Sequence, residues 1–282
     1  MRQSTDSTLA ARAADKLLGV LLIAISAASF GAMAIFTHYA YASGANVVGL
    51  LMVRFVIAAV ALMVVMRVRR IGIPPWSRVL GLAAMGGIGY AGQSFTFFSA
   101  LNYAPASLVA LLLYLYPMFV TVLAAVFLRE RLTTAAIVAL VLCSVGAGLT
   151  VGGAGLSGGS VLGIALGVAS AAIYSIYITV GARVTHGVDP LACTTVICTA
   201  AGVVYTGMAL AGAPAHLPGT FGGWAAALAI AGLSTVVAIL AFFAGLQKLG
   251  AAQARSKELE AEIDEARNNG PQQVGEVLRD LA

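Results

Sequence analysis

Long apolar stretches separated by short polar links make up most of the chain. Each stretch is close to the roughly 20 residues that an α-helix needs to cross the hydrocarbon core of a bilayer. Arg54 is the one charged residue that falls well inside a stretch. The pattern predicts eight membrane-spanning helices, at residues 17–41, 47–66, 79–101, 106–128, 132–151, 161–182, 191–211 and 222–246.

Basic residues occupy alternate links between the predicted spans. The links at 42–46, 102–105, 152–160 and 212–221 contain no Lys or Arg. Because links rich in Lys and Arg stay on the cytoplasmic side, this alternation predicts a multi-pass protein of the plasma (inner) membrane whose N-terminus and C-terminal tail are cytoplasmic. The bases of the other links are Arg67, Arg69, Arg70, Arg78, Arg129, Arg131, Arg183 and Lys248.

Composition agrees with a membrane protein and excludes several other classes. Of the 282 residues, 60% are hydrophobic and 10% are charged, whereas about a quarter of the residues of a soluble domain are charged. Basic residues outnumber acidic ones by five, but many of them sit in the short links between spans, so we expect a lipid bilayer and no nucleic acid as partner. The three cysteines lie inside apolar stretches without metal-binding spacing, and no catalytic motif is present. The sequence therefore predicts neither a cofactor, nor a metal, nor enzymatic activity.

Two pairs of segments indicate an internal repeat. Residues 17–30 (LLGVLLIAISAASF) align with 161–174 (VLGIALGVASAAIY) at an offset of 144, and 97–102 (FFSALN) align with 242–247 (FFAGLQ) at an offset of 145. These alignments pair the first predicted span with the sixth, and the third with the eighth. Because five helices are an odd number, the second copy must enter the membrane upside down, and such inverted repeats are typical of secondary transporters.

A stretch of about 35 residues from Phe97 to Leu132 carries a family resemblance. Its sequence, FFSALNYAPASLVALLLYLYPMFVTVLAAVFLRERL, resembles helix 4 and its flanks in EamA-type transporters of the drug/metabolite transporter superfamily. Arg129-Glu130-Arg131 resembles the family's LgErlt signature, with Arg129 in place of the usual glycine. The resemblance implies two five-helix repeats and transport of a small organic compound.

The end of the chain departs from that family pattern. We expect a cytoplasmic segment at 1–16, a first five-helix repeat at 17–151, an incomplete three-helix second repeat at 161–254, and a soluble helical tail at 255–282. The family's helices 9 and 10 would then be absent, through replacement, through truncation with a foreign tail, or through engineering. The predicted fold is an all-α integral membrane protein of about eight transmembrane helices in two inverted repeats, followed by a short polar helical tail.

Arg54 is the first candidate for substrate binding. A charge at that depth costs at least about 2.5–3.5 kcal/mol on insertion scales, so it should face a cavity or a partner. It could anchor an anionic group of a substrate, or it could extend outward or tie helix carbonyls together.

Further candidates lie on faces that mix aromatic and polar side chains, such as the predicted face of Gly86, Tyr90, Gln93 and Phe97 in the third span. Such faces suit a pathway for small amphipathic solutes, but they also suit simple helix packing. In the fourth span, Pro117 should kink the helix beside Tyr114. The remaining candidates for substrate binding are Ser26, Phe30, Met33, Tyr90, Gln93, Ser170, Tyr174 and Tyr177.

Together these features favour a secondary transporter that exports a small organic metabolite or amphipathic compound by alternating access. Since no acid lies within a span, the cargo should be neutral, zwitterionic or anionic. The alternative is a non-transporting membrane scaffold, or a truncated module that needs a partner chain. A homodimer through Gly163 and Gly167, which form a GxxxG pattern, could supply that partner.

Overall fold

The computed structural model describes residues 2–127 and 159–249, together with Val138, Val141, Leu142, Val145, Gly146 and Leu149. Within these residues the chain is helical and contains no strand. Six of the described helices are long and apolar enough to cross a membrane: Lys16–Ala42, Val47–Val68, Ala106–Leu123, Val161–Gly181, Pro190–Leu210 and Phe221–Leu249. The prediction of an all-α membrane protein is therefore confirmed.

We number the described helices in chain order. They are α1 (Arg2–Ala42), α2 (Val47–Val68), α3 (Trp76–Ala84, Met85–Tyr90 and Ala91–Ala100 in one run), α4 (Ala106–Leu113 and Tyr116–Phe127), α5 (Val161–Val184), α6 (Pro190–Leu210) and α7 (Phe221–Leu249). The first four match the first four predicted spans, and α5 to α7 match the sixth to the eighth. The fifth span, the Arg129-Glu130-Arg131 motif and the tail at 255–282 lie outside the described residues, apart from the six isolated positions.

Helix α3 is not among the six apolar helices, although it runs without a break through the third predicted span. Its middle carries glycines together with Gln93, Ser94 and Thr96, which lower its mean hydropathy. A helix of this composition needs neighbours that satisfy its polar side chains.

Local signals at the helix ends explain where the helices begin and stop. Asn46 and Asp189 accept hydrogen bonds from backbone N–H groups in the first turns of α2 and α6, which is the usual N-cap arrangement. After α1, α5 and α6 the chain turns at glycines with positive φ, a conformation that costs glycine nothing. These are Gly44, Gly187 and Gly212.

Two helices contain a π-helical turn. Met85–Tyr90 in α3 and Gly232–Val237 in α7 are both π-helical, and each is continued by α-helix on either side. Such widened turns often occur at functional sites. The two segments begin 147 residues apart, close to the repeat offset found in the sequence.

Helix α4 is interrupted beside Pro117, as predicted. Its first part ends at Leu113, residues Tyr114 and Leu115 form a turn, and its second part begins at Tyr116. Proline has no N–H to donate to the carbonyl four residues earlier, so the regular ladder cannot continue through this point.

The described residues divide into two compact units, one of Ala28–Ala238 and one formed by the chain through Ala27 and from Ile239 onward. In the first unit α2 and α6 run antiparallel. Gly202 of α6 lies against the backbone of Phe55 at mid-helix, while the start of α2 lies against His216, just after α6 ends. At Gly49 a side chain would occupy the space of the His216 backbone, so this approach requires glycine, whereas at Gly202 the fit to Phe55 is an ordinary van der Waals contact.

Helices α3 and α5 also run antiparallel within this unit. Gly81 lies against Val184, Gly89 against Tyr177, and Tyr103, just past the end of α3, against Gly163. Gly167 packs against Leu112 of α4, so both glycines of the GxxxG pattern are covered within the chain. The pattern therefore no longer supports the homodimer for which it was considered.

The smaller unit packs the first half of α1 against the end of α7. A side chain at Gly19 would lie 2.9 Å from Leu249 Cγ, and one at Gly245 would meet Ile23 at the same distance. Both glycines are thus needed for the close approach of these two helix segments.

Candidate functional site

Arg54 lies in the middle of α2 and is 2% exposed. Its Nε donates a hydrogen bond to Thr235 Oγ1 of α7 (3.0 Å), and its Nη2 donates to the hydroxyl of Tyr90 of α3 (3.1 Å). Among the described residues, these bonds engage two of the five N–H donors that a guanidinium carries. The side chain is buried between helices, so the interpretation that it extends outward is wrong.

Three aromatic rings surround the guanidinium. Its Cζ lies 4.9 Å from the centre of the Phe55 ring, 5.3 Å from that of Phe98 and 5.9 Å from that of Tyr90. These distances are within the range in which a cation is attracted to the face of a ring. The aromatic faces compensate in part for the water that a buried charge has lost.

Four tyrosines continue from Arg54 as a connected row of rings, which we call the tyrosine row. Tyr90 stacks on Tyr177 with centroids 5.6 Å apart, and Tyr177 stacks on Tyr174 at 6.0 Å. Tyr116 of α4 then meets Tyr174 edge to face at 5.0 Å. The row joins α3, α5 and α4, and Tyr90 links it directly to the guanidinium.

A second polar contact lies between α3 and α5. Gln93 Nε2 donates to Ser170 Oγ (3.1 Å), which in turn donates to the Gln93 carbonyl (3.4 Å). Ser94 Oγ donates to Gln93 Oε1 (3.4 Å). Gln93 and Ser170 are both buried, so these bonds satisfy polar groups that would otherwise be costly inside the bundle.

The structure thus brings six of the predicted site residues into contact pairs around Arg54 and the tyrosine row. They are Arg54, Tyr90, Gln93, Ser170, Tyr174 and Tyr177. Tyr114 is 66% exposed and Pro117 is also exposed, and it is Tyr116 between them that reaches the row. In α1, Phe30 and Met33 are half-buried, while Ser26, which belongs to the smaller unit, is buried.

Sequence reasoning missed several residues of this site. Thr235, Tyr205, Phe55 and Phe98 all contribute, and the Tyr205 ring stacks on Phe55 at 5.7 Å while its hydroxyl donates to the Ala91 carbonyl (2.7 Å). One signal was available. Tyr90 and Thr235 are 145 residues apart, so extending the alignment of 97–102 with 242–247 toward the N-terminus pairs them.

The polar chemistry of the site consists of one cation, hydroxyl groups and an amide. Asp189 is the only acidic residue within 16–127 and 159–249, and its carboxylate caps α6. Among the described residues, no group of three or more His, Cys, Asp or Glu side chains could hold a metal ion. The arrangement offers a fixed positive charge beside aromatic surfaces, which suits binding of an anionic group attached to an apolar body.

Comparisons with known proteins agree with the helical architecture. A solved crystal structure, described only as that of a protein, is 22% identical in sequence and superposes with a TM-score of 0.59, covering 84% of this chain and 80% of that one. At 22% identity, this similarity shows a shared fold and nothing about function. No curated protein matches the chain in sequence. The profile of the EamA-like transporter family matches residues 17–152 and 161–256, and the chain therefore belongs to this family of membrane transporters within the drug/metabolite transporter superfamily.

Proposed function

We propose that the protein is a secondary transporter that exports a small organic metabolite or amphipathic compound from the cytoplasm by alternating access. The cargo carries an anionic or zwitterionic group that binds Arg54, and an apolar part that lies along the tyrosine row. The bounds proposed for the two halves are 17–151 and 161–254.

The buried guanidinium of Arg54 carries this proposal. A cation removed from water at mid-helix costs several kcal/mol unless an opposite charge or strong hydrogen bonds offset the loss. Here the described acceptors are two neutral hydroxyl groups, those of Tyr90 and Thr235. A carboxylate or phosphate of a cargo would add charge-assisted hydrogen bonds, which are about twice as strong as neutral ones.

The tyrosine row supports an amphipathic cargo. Its rings are half-buried and follow one another at centroid distances of 5.0–6.0 Å from Tyr90 to Tyr116. Aromatic faces bind apolar or ring-containing groups, and the hydroxyl groups of tyrosine offer hydrogen bonds at their edges.

Contacts that recur at the repeat offset support alternating access between two oppositely directed halves. Gly163 lies against Ala104, and Gly19 lies against Leu249. Gly163 follows Gly19 by 144 residues and Leu249 follows Ala104 by 145, so the two contacts are equivalent under the repeat offset. Arg54 donates to both Tyr90 and Thr235, which are related by 145 residues. Since α2 and α6 are antiparallel and each follows a short link, α1 from Ala28 and α5 also run in opposite directions.

Transport by purified protein in proteoliposomes tests the proposal. The vesicles are loaded with a mixture of radiolabelled amino acids and small carboxylates. The labelled compounds that cross the membrane are identified, and their rates of movement are measured. We expect movement of at least one anionic or zwitterionic compound, and its loss in Arg54→Ala. Arg183→Ala, which removes an exposed arginine after the membrane span of α5, is the matched control and should retain transport.

Two results would count against the proposal. Vesicles that move none of the compounds would favour the non-transporting scaffold or a module that needs a partner chain. Transport that is equally fast in wild type and Arg54→Ala would remove Arg54 from the binding site.

A further inference from the structure

A separate cavity of about 510 Å³ opens between α2, α3 and α6, apart from the tyrosine row. It belongs wholly to the unit of Ala28–Ala238. The wall combines the second half of α2, the start of α3 and the middle of α6 with the link that follows α2. We call it the basic-ended groove, and its lining residues are Met63, Met66, Arg67, Ile73, Pro74, Val79, Ala83, Gly87, Thr195, Val196, Thr199, Ala200, Val203 and Val204.

The inside of the groove is apolar in effect. Its two hydroxyl groups are already used, because Thr195 donates to the Leu191 carbonyl and Thr199 to the Thr195 carbonyl. The other lining side chains, except Arg67, are aliphatic or thioether groups. A polar solute would lose its hydrogen bonds to water here and find few replacements, whereas a hydrocarbon chain would not.

One end of the groove is strongly basic. Arg67 lines it, and Arg69, Arg70 and Arg78 lie in or next to the same link, with no acidic residue anywhere in 67–78. From that end the lining positions of α3 extend from Val79 to Gly87, about 12 Å at 1.5 Å per residue. The groove therefore runs from Arg67 and the arginine-rich link after α2 toward the middle of the helices.

We infer that the basic-ended groove binds an anionic phospholipid, with one acyl chain along the apolar wall and the phosphate at Arg67 and its neighbouring arginines. A membrane lipid is the partner that combines a long apolar chain with a negative head at one end. Basic sites between transmembrane helices on the cytoplasmic side are where anionic headgroups bind, and the proposed orientation puts this link on that side.

The groove also touches the element that carries the transport site. Gly87 belongs to the π-helical turn Met85–Tyr90, whose last residue contributes its ring to the tyrosine row and accepts the hydrogen bond of Arg54. A lipid in the groove therefore contacts the same π-helical turn, at Gly87. Lipid binding does not depend on the proposed cargo and can be measured without transport.

Native mass spectrometry of the whole protein tests this inference. The protein is extracted from vesicles of phosphatidylglycerol and phosphatidylcholine in equal amounts, and the lipids that remain bound are identified by mass. We expect retained phosphatidylglycerol in preference to phosphatidylcholine. The double change of Arg67→Gln and Arg70→Gln should remove the preference, while Arg183→Gln, an exposed arginine elsewhere, should keep it.

A second pair of variants tests the apolar wall. Ala83→Phe puts a ring into the groove, whereas Ala84→Phe puts the same ring on the exposed side of α3 as a matched control. We expect Ala83→Phe alone to lose the bound lipid, with thermal unfolding used to check that both variants fold. Equal retention of the two lipids by wild type, or the same retention by both phenylalanine variants, would overturn the inference. If Ala83→Phe does not fold, the comparison of the double variant of Arg67 and Arg70 with Arg183→Gln decides the inference, and a phosphatidylglycerol preference that survives in the double variant would overturn it.

Discussion

At the residue scale, the two acceptors of Arg54 matter because they come from different helices. Tyr90 lies in α3 and Thr235 in α7, and the Thr235 hydroxyl donates onward to the Ile230 carbonyl, five residues earlier. One planar guanidinium can reach both acceptors at once, while the single ammonium of a lysine could not match its fixed geometry. Arg54 thus ties together two helices that are far apart in sequence.

Removing one acceptor should therefore destabilise the fold. We expect Tyr90→Phe to lower the free energy of unfolding by about 1–3 kcal/mol, because a donor of a buried charged group loses its partner. Thermal unfolding of the purified protein in detergent measures the change. Tyr103→Phe is the control, since Tyr103 is 47% exposed, and equal stability of the two variants would contradict the role of this hydrogen bond.

Sequence alone predicted Arg54 as a site residue because a lone charge inside an apolar span is conspicuous. It also predicted Gln93 and Ser170 singly, but not that they bind each other across α3 and α5. Tyr205 and Thr235 were missed because hydroxyl-bearing residues occur in many spans and their partners depend on helix packing. Their roles in binding a cargo stay predictions.

At the element scale, the π-helical turn of α3 explains why one predicted face is wrong. The sequence suggested that Gly86, Tyr90 and Gln93 share a face, which assumes regular α-helical spacing. In the structure Gly86 contacts Ile197 of α6, whereas Gln93 contacts Ser170 of α5. A π-turn inserts an extra residue per turn and rotates the remainder of the helix, and a glycine-rich sequence gives no periodic signal for it.

The contact of α3 with α6 gives a prediction about glycine. A methyl group at Gly86 would lie 2.8 Å from Ile197 Cα, so the backbones would have to separate. We expect Gly86→Ala to lower stability by about 1–3 kcal/mol, as overpacking does in well-packed cores. Gly92 is in the same helix with open space around its Cα, so Gly92→Ala should be neutral or slightly stabilising.

Thermal unfolding of these two variants in the same detergent makes the comparison direct. Both changes add one methyl group to α3, so they share their effect on the unfolded chain. If the two variants unfold at the same temperature, the close approach of α3 and α6 is not what limits the size of residue 86.

At the scale of the whole molecule, the chain's membrane class and family were predictable because they rest on long-range averages. Span length, hydropathy and the motif between Phe97 and Leu132 need no knowledge of packing, and the family profile agrees with them. Packing decides the rest. The basic-ended groove, for instance, joins residues from α2, α3 and α6 that no single stretch of sequence brings together.

The opposite direction of the two halves is the prediction that belongs to this scale. Ala42 ends α1 and His186 follows α5, both are exposed, and they are 144 residues apart. Single cysteines at these positions, in a protein whose native cysteines are replaced by alanine, are treated with a membrane-impermeant maleimide on intact cells. We expect Ala42→Cys to be labelled, and His186→Cys to be labelled only after the membrane is permeabilised.

Two further positions make that result decisive. Asn102 follows α3 and Arg69 follows α2, and both are exposed. A cysteine at Asn102 should be labelled on intact cells, as at Ala42, whereas a cysteine at Arg69 should be labelled only after permeabilisation, as at His186. If Ala42→Cys and His186→Cys were labelled from the same side while Asn102→Cys and Arg69→Cys differed, the repeats would be parallel. The proposal of two oppositely directed halves, and of an alternating-access mechanism based on their inverted symmetry, would then have to be abandoned even though the family assignment would stand.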